Sequence, residues 1–258
     1  LLAKKEGFPV LYASGGAIAR SAGYPDIGLL TMTEVCSVIS HIVNLSQLPI
    51  IADADTGFGN ALNVRRTVQT YEQLGVAGLH LEDQTFPKRC GHLDDKSLVS
   101  TEEMCHKIAV ARSSLIDPDF VLIARTDAIA VEGFEQAIRR AKAYKEAGAD
   151  MIFVEAPETV EQIEAIAAEI SGPKLINMFH GGKTPVLPVE RLQALGFNVV
   201  IIPSDLQRAA IKAMQTTLTT IKHQGNTQSI AEQLTSFKER EQIVDTETYF
   251  AIDTLRLK

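Results

Sequence analysis

Seven times along the chain an apolar run is followed by a polar cluster and then by a helical or loop-and-helix stretch, and this alternation is the strongest constraint on the fold. The runs fall at residues 9–13, 49–52, 76–81, 120–124, 150–154, 174–176 and 197–202. Most are continuous, as expected of strands covered on both faces in a parallel sheet. Between them, 34–46, 60–75, 101–114, 133–147, 158–170 and 189–195 read as helices, with stops such as Gly75 and Gly148. A closed barrel of this kind has eight strand–helix units. Residues 1–7 read as a helix tail stopped by Gly7, so a first strand is expected ahead of them, completing a TIM-type (β/α)8 barrel. An open doubly wound sheet of seven strands is the rival, and the lack of a Gly-rich dinucleotide fingerprint weighs against it. Beyond Pro203 the pattern turns helical, at roughly 205–223 and 228–243. No linker is visible, so the expectation is one domain over 1–258, with barrel repeats in 1–204 and a C-terminal helical part in 205–258.

The 258 residues are 45% hydrophobic and 22% charged, enough for a full core. A net charge of −7 argues against nucleic acid as the main partner, because phosphate binding needs a basic face. It leaves room for a small anion, since a local set such as Lys88, Arg89 and Arg125 sets the field in a cleft. The odd set Cys36, Cys90 and Cys105 has neither disulfide-framework nor metal-site spacing. A reducing cytoplasm is expected, or an organelle matrix if a targeting segment was removed, because the chain does not begin with Met. No apolar run approaches the roughly 20 residues of a membrane span.

Polar residues recur where the strands end: Ser14, Asp53, Asp55, Glu82, Arg125, Glu155 and Asn177. In a barrel those ends form one rim, where barrel enzymes carry their sites. Asp53 and Asp55 are two apart, as are His80 and Glu82, and in a strand each pair would share a side. Several carboxylates beside an arginine make a seat for magnesium, which takes oxygen ligands and keeps several waters. Any one such Asp is more often a helix cap than a ligand; repetition over six strands favours the site. His80 is expected to orient a carboxylate. Cys90, among Lys88, Arg89, Gly91 and His92, is either a reactive thiol or an ordinary small apolar residue, and Cys36 and Cys105 are packing residues on helices. Nothing resembles a serine-hydrolase elbow.

These residues carry a resemblance. Ser14-Gly15-Gly16, the run Asp53 to Gly59, His80 to Gln84, Lys88-Arg89-Cys90-Gly91-His92, Ala124 to Asp127 and Glu155-Ala156 resemble the isocitrate lyase and phosphoenolpyruvate mutase superfamily, in particular its short 2-methylisocitrate lyase and 2,3-dimethylmalate lyase branch. The cysteine loop is similar to the lyase signature, which the phosphonate-forming mutases lack. The resemblance implies a barrel with an exchanged C-terminal helix in a homotetramer, a Mg2+ ion with Mn2+ as substitute, and a gating loop over 85–97 that carries Cys90. It implies Asp53 and Asp55 as metal residues, with Asp26 and Glu82 acting through water. Ser14, Gly15, Gly16, Gly91, His92, Arg125, Glu155 and Asn177, with Arg208 as a further candidate, would hold the carboxylates and hydroxyl of a small anionic substrate. The implied reaction cleaves a 2-hydroxy di- or tricarboxylate into a 2-oxo acid and a carboxylic acid. Tyr12 would be the base and Cys90 the acid, with Glu82 and Arg125 completing the catalytic set.

Three positions depart from the pattern: Leu93 in place of an arginine, Phe179-His180-Gly181 in place of a segment with Glu and Phe, and Ser236 in place of a substrate arginine. Fewer cations point to a smaller acid, such as a substituted malate. The alternatives are an oxaloacetate hydrolase or decarboxylase, a phosphoenolpyruvate mutase-like phosphonate enzyme, and a barrel that binds a metabolite without catalysis.

Overall fold

The computed structural model describes residues 1–91 and 95–255. Expectations that fall on His92 and Leu93 lie outside the described residues. Val10–Asp205 forms one compact unit; Leu1–Pro9 and Leu206–Lys258 form a second.

In the first unit seven parallel strands follow sequence order: β1 Leu11–Ala13, β2 Ile50–Asp53, β3 Gly78–Glu82, β4 Val121–Thr126, β5 Met151–Val154, β6 Lys174–Asn177 and β7 Val199–Ile201. They make a nearly closed barrel, so the expected TIM-type architecture holds and the open sheet does not. Successive side chains divide between two apolar layers, as the two-residue period of a strand requires. Ala52, Leu79, Leu81, Leu122, Ala124 and Ile152 join the large core shared with the helices. Ile51, Ile123, Met151, Phe153, Leu175 and Ile201 form a separate, smaller cluster. The second set lines the barrel interior, and its strands run on into the polar residues of the rim.

The helices start where local chemistry stops a strand-end loop. Thr31 and Glu34 form a capping box at Met32–Ser46, and Asn60 and Asn63 form one at Ala61–Gln73. Ser100 caps Thr101–Ser114. Two short helices were not expected. Gly15–Ser21 replaces the start of a presumed loop, and Ile129–Glu132 precedes Phe134–Glu146.

In the second unit the helix Asp205–Gln224 matches expectation, whereas the single helix expected over 228–243 is broken. A 3-10 turn at Gln228–Gln233 ends in extended Leu234, and Ser236 caps a separate helix, Phe237–Ile243. The serine hydroxyl accepts from Glu239 N at 3.1 Å, a local bond that competes with continuing the helix. A last helix follows at Thr246–Asp253.

Candidate active site

β2 delivers Asp53 to the rim, where three backbone bonds fix it. Its Oδ2 accepts from Gly15 N at 3.1 Å, its Oδ1 accepts from Asp55 N at 3.0 Å, and its carbonyl accepts from the Tyr71 hydroxyl at 3.1 Å. Asp55 joins it by a different route from the one expected. The strand ends at Asp53, and Asp55 has a left-handed φ of 46°, so a backbone turn rather than the strand pleat brings the two carboxylates together. Gly15 stands against both: a β-carbon there would lie 2.9 Å from Asp53 Oδ2 and 3.3 Å from Asp55 Oδ1. Gly16 is equally tight on Asp26, with 2.8 Å to Oδ2. Ser14 caps the helix that begins at Gly15, its hydroxyl accepting from Ala17 N at 3.3 Å.

The adjacent strand brings His80 and Glu82 to the same interior. His80 is buried, with Nε2 2.8 Å from the Tyr12 hydroxyl and 3.6 Å from Asp53 Oδ1, so its hydrogen bond goes to the tyrosine and not, as expected, to a carboxylate. Burial pushes the imidazole down to about 4 and keeps it neutral at pH 7; burial likewise holds the Tyr12 phenol well above its usual value of 10. For Asp53, burial acts upward, but His80, Lys88, Arg125 and the hydrogen bond from the Asp55 amide outweigh it, and the carboxyl falls to about 2. Asp55 goes the other way, up to about 6, because burial and the neighbouring carboxylates outweigh Lys88.

Glu82 and Arg125 are register partners on β3 and β4, and the guanidinium lies 3.4 Å from Glu82 Oε2. Two bonds to Asp127, at 2.8 and 3.0 Å, fix its plane, while Phe153 lies beneath it at 5.2 Å. Glu155 Oε1 lies 3.7 Å away and accepts from Asn177 Nδ2 at 3.4 Å. Burial drives Glu82 well above the ordinary carboxylate range despite Arg125.

The cysteine loop lies directly on this assembly. A β-carbon on Gly91 would come within 2.3 Å of Glu155 Oε1 and 2.5 Å of Arg125 Nη2. Cys90, half-buried and outside any disulfide, is therefore next to the residue that touches the rim. Gln84 pins the preceding residue from both sides, donating to Arg89 O at 2.8 Å and accepting from Arg89 N at 2.9 Å. Lys88 reaches Asp26 and Asp55, and Lys96 reaches Asp127. Lys96 and the anchoring side chain of Gln84 were not singled out from sequence, where a lysine and a glutamine in a polar loop read as solvated. Asp83 is a third omission. It accepts from Thr126, the Asp127 amide and the Tyr144 hydroxyl at 2.7, 2.9 and 2.8 Å, fastening the loop base to β4 from behind the rim.

Tyr12, Ser14–Gly16, Asp26, Asp53, Asp55, Glu82, Cys90, Gly91, Arg125, Glu155 and Asn177 all belong to the barrel unit. Arg208 lies on the helix Asp205–Gln224 of the other unit, and the Phe179–Gly181 segment forms a turn after β6. Cys36 and Cys105 pack against the core, as expected.

The donor set is all oxygen, and buried Glu82 Oε1 has no hydrogen-bond partner among the described residues. Such an atom is costly unless a cation or its water meets it, which fits a hard divalent ion. Among the described residues no three His, Cys, Asp or Glu side chains converge closely enough to cage an ion. The oxygen-only set thus fits a hard divalent ion that one or two carboxylates hold directly and water links to the rest.

Comparison with known proteins agrees with this geometry. The family model described as phosphoenolpyruvate phosphomutase matches residues 1–222. A 2,3-dimethylmalate lyase of Eubacterium barkeri is 47% identical over 234 residues, 90% of this chain and 81% of that protein. A 2-methylisocitrate lyase of Aeropyrum pernix is 44% identical over 91% of this chain and 75% of its own length. Among solved structures, 2,3-dimethylmalate lyase in a trigonal crystal form superposes with a TM-score of 0.93 at 33% identity, covering 98% of this chain and 85% of that one. Phosphonopyruvate hydrolase in complex with oxalate and Mg2+ gives 0.90 at 34% identity, covering 100% and 90%. By sequence and by fold, the chain belongs to the phosphoenolpyruvate mutase/isocitrate lyase superfamily.

Proposed function

We propose that the chain is a magnesium-dependent carbon–carbon lyase that cleaves a 2-hydroxy dicarboxylate of the substituted-malate type, or a related tricarboxylate, into a 2-oxo acid and a carboxylic acid. The observation that carries this reading is the contact of Gly91, next to Cys90, with Arg125 and Glu155. It brings the backbone next to Cys90 against Arg125, a cation held in place by Asp127, in the same rim as the acidic cluster. The named activities of the lyases compared above support the same reaction class.

Asp53 and Asp55 would hold magnesium, with Asp26 and Glu82 reaching it through water. When bound, the ion stabilises the substrate hydroxyl oxygen and the carbonyl that replaces it. Arg125, its plane fixed by Asp127, binds a substrate carboxylate; Asn177 and Glu155 orient the hydroxyl end, and Ser14 to Gly16 close that side with backbone. The hydroxyl proton passes to Tyr12, whose own proton has an acceptor in neutral His80 at 2.8 Å. The carbon–carbon bond breaks with its electron pair going to the departing acid, and Cys90 protonates that carbanion. A loop held over the rim keeps bulk water from doing so first.

An oxaloacetate hydrolase is the second reading, favoured by a TM-score of 0.92 to oxaloacetate acetylhydrolase bound to 3,3-difluorooxalacetate, at 34% identity over 98% of this chain and 86% of that one. Incubation with Mg2+ and 2,3-dimethylmalate, 2-methylisocitrate or oxaloacetate separates the two. Release of a 2-oxo acid from either hydroxy acid supports the lyase; acetate and oxalate from oxaloacetate alone supports the hydrolase. Magnesium binding with no turnover of any of them leaves a binding barrel.

The homotetramer belongs to the same proposal. Ile211, Met214, Leu218 and Ile221, spaced by three and four residues on one helix, are all exposed in the single chain, and a subunit interface would cover them. Light scattering that gives a monomer mass would remove it.

A further inference from the structure

Lys88 does not behave as a loop lysine. Its ammonium is 2.5 Å from Asp26 Oδ1 and 2.8 Å from Asp55 Oδ1, and its side chain is only 4% exposed. The two carboxylates come from separate segments, Asp26 from between the helices Gly15–Ser21 and Met32–Ser46 and Asp55 from the loop after β2. The lysine comes from a third, two residues before Cys90. One cation thus ties the cysteine loop to the acidic cluster of the rim. Besides Asp26 and Asp55, that cluster contains Asp53 and Glu82; Arg125 is bonded to Asp127, and Arg20 Nη1 and Asp26 Oδ2 would each lie 2.8 Å from a β-carbon on Gly16. Lys88 is the cation that contacts Asp26 and Asp55 together, with Arg20 also close to Asp26. Its neighbour is held differently: Arg89 is fixed through its backbone by the uncharged Gln84 side chain, a bond that does not respond to charge at the rim.

We propose that Lys88 is a positioning residue that competes with a divalent cation for the charge of Asp26 and Asp55, so that cation binding and the seating of the cysteine loop oppose each other until an anionic substrate arrives. The inference rests on the magnesium reading given above. An ion of charge +2 held by the same carboxylates repels the ammonium and removes part of its attraction to them. The loop then loses its charged tether while keeping the Gln84 anchor. A dicarboxylate entering beside the ion brings negative charge back to the rim and favours return of Lys88, carrying Cys90 with it. Coupling of this kind is reciprocal: whatever weight the ion takes from the loop, the lysine takes from the ion.

Two measurements test this without relying on turnover. In calorimetric titration of the whole chain with MgCl2 and no substrate, Lys88→Met is expected to bind about tenfold more tightly than the wild type, because an opposing charge is gone. Lys88→Arg, which keeps the charge, is expected to stay within about threefold of the wild type. Equal or weaker binding by Lys88→Met, in a variant with wild-type circular dichroism, overturns the proposal while leaving the magnesium site standing. No Mg2+ binding by the wild type overturns both.

The second measurement uses the wild type alone, so it survives a variant that does not fold. Iodoacetamide labelling of Cys90, which lies beyond the Gln84 anchor, followed by mass spectrometry, is expected to speed up at least threefold on adding Mg2+ and to slow again when oxalate is added, with Mg2+ kept in excess, as the dianionic probe. Protection of Cys90 by Mg2+ alone is the contrary result.

Discussion

Nζ of Lys96 lies 3.1 Å from Oδ1 of Asp127, with the two side chains 1% and 0% exposed. The same ammonium donates to the carbonyl of Gly91, and the same carboxylate clamps Arg125. Lys96 thus joins the far end of the cysteine loop to the group that fixes the carboxylate-binding arginine. Replacing it with Met is expected to lower kcat/KM by about 10- to 100-fold, with Lys96→Arg partly restoring it. Steady-state kinetics on the cleaved acid checks this; an unchanged kcat/KM contradicts it.

Gly91 has no room for a side chain in this arrangement, since a methyl group would overlap both Glu155 and Arg125. Gly91→Ala is expected to leave the thermal midpoint within a few degrees, because the residue sits in a loop, and to cut turnover by at least about 100-fold. A variant with near-wild-type kcat/KM means that the loop does not close on Arg125 during catalysis.

Asp83 is buried behind the rim, where it serves Thr126, the Asp127 amide, Tyr144 and, at 3.5 Å, Arg140. Burial raises its carboxyl, so the network rather than free ionisation justifies its position. Asp83→Ala leaves several buried donors without an acceptor and is expected to cost about 3–5 kcal/mol of stability. Urea denaturation measures it; a loss below about 1 kcal/mol would show that water replaces the carboxylate.

Asp127 sets an acid limit. Burial acts upward on its carboxyl, but Arg125 and Lys96 hold it well below the ordinary carboxylate range. A carboxyl lowered on folding contributes stability that is complete above its unfolded value of about 4 and is lost as pH falls below that value toward the folded one. Asp127→Asn is expected to be less stable than the wild type at pH 7, with the gap narrowing between about pH 4 and 2. Chemical denaturation across that range provides the check, and a gap that stays constant with pH refutes the assignment.

How far the sequence discloses this site depends on the range of the interaction concerned. All seven strands and the rim residues that end them follow from local pattern, because a parallel barrel repeats the same apolar-then-polar signal in every unit. Asp55 was expected beside Asp53 for the wrong reason: a left-handed turn in the Asp-Thr-Gly loop, not strand alternation, brings it there. Lys88 and Lys96 were not legible as buried groups. Their acidic partners lie 62 and 31 residues away, and nothing local distinguishes either lysine from a solvated one. The break of the helix expected over 228–243 is not legible for a similar reason: the helical pattern continues through it, while Gln228–Gln233 forms a 3-10 turn, Leu234 is extended and Ser236 caps a new helix.

The most direct test of the lyase reading is cleavage of 2,3-dimethylmalate by the wild type with Mg2+ in D2O, followed by NMR. A 2-oxo acid and a carboxylic acid are expected in equal amounts, the latter carrying one deuterium at the carbon released from the broken bond, with loss of both products in Cys90→Ser. Full activity in Cys90→Ser, or no 2-oxo acid from this substrate or 2-methylisocitrate, would contradict that reading.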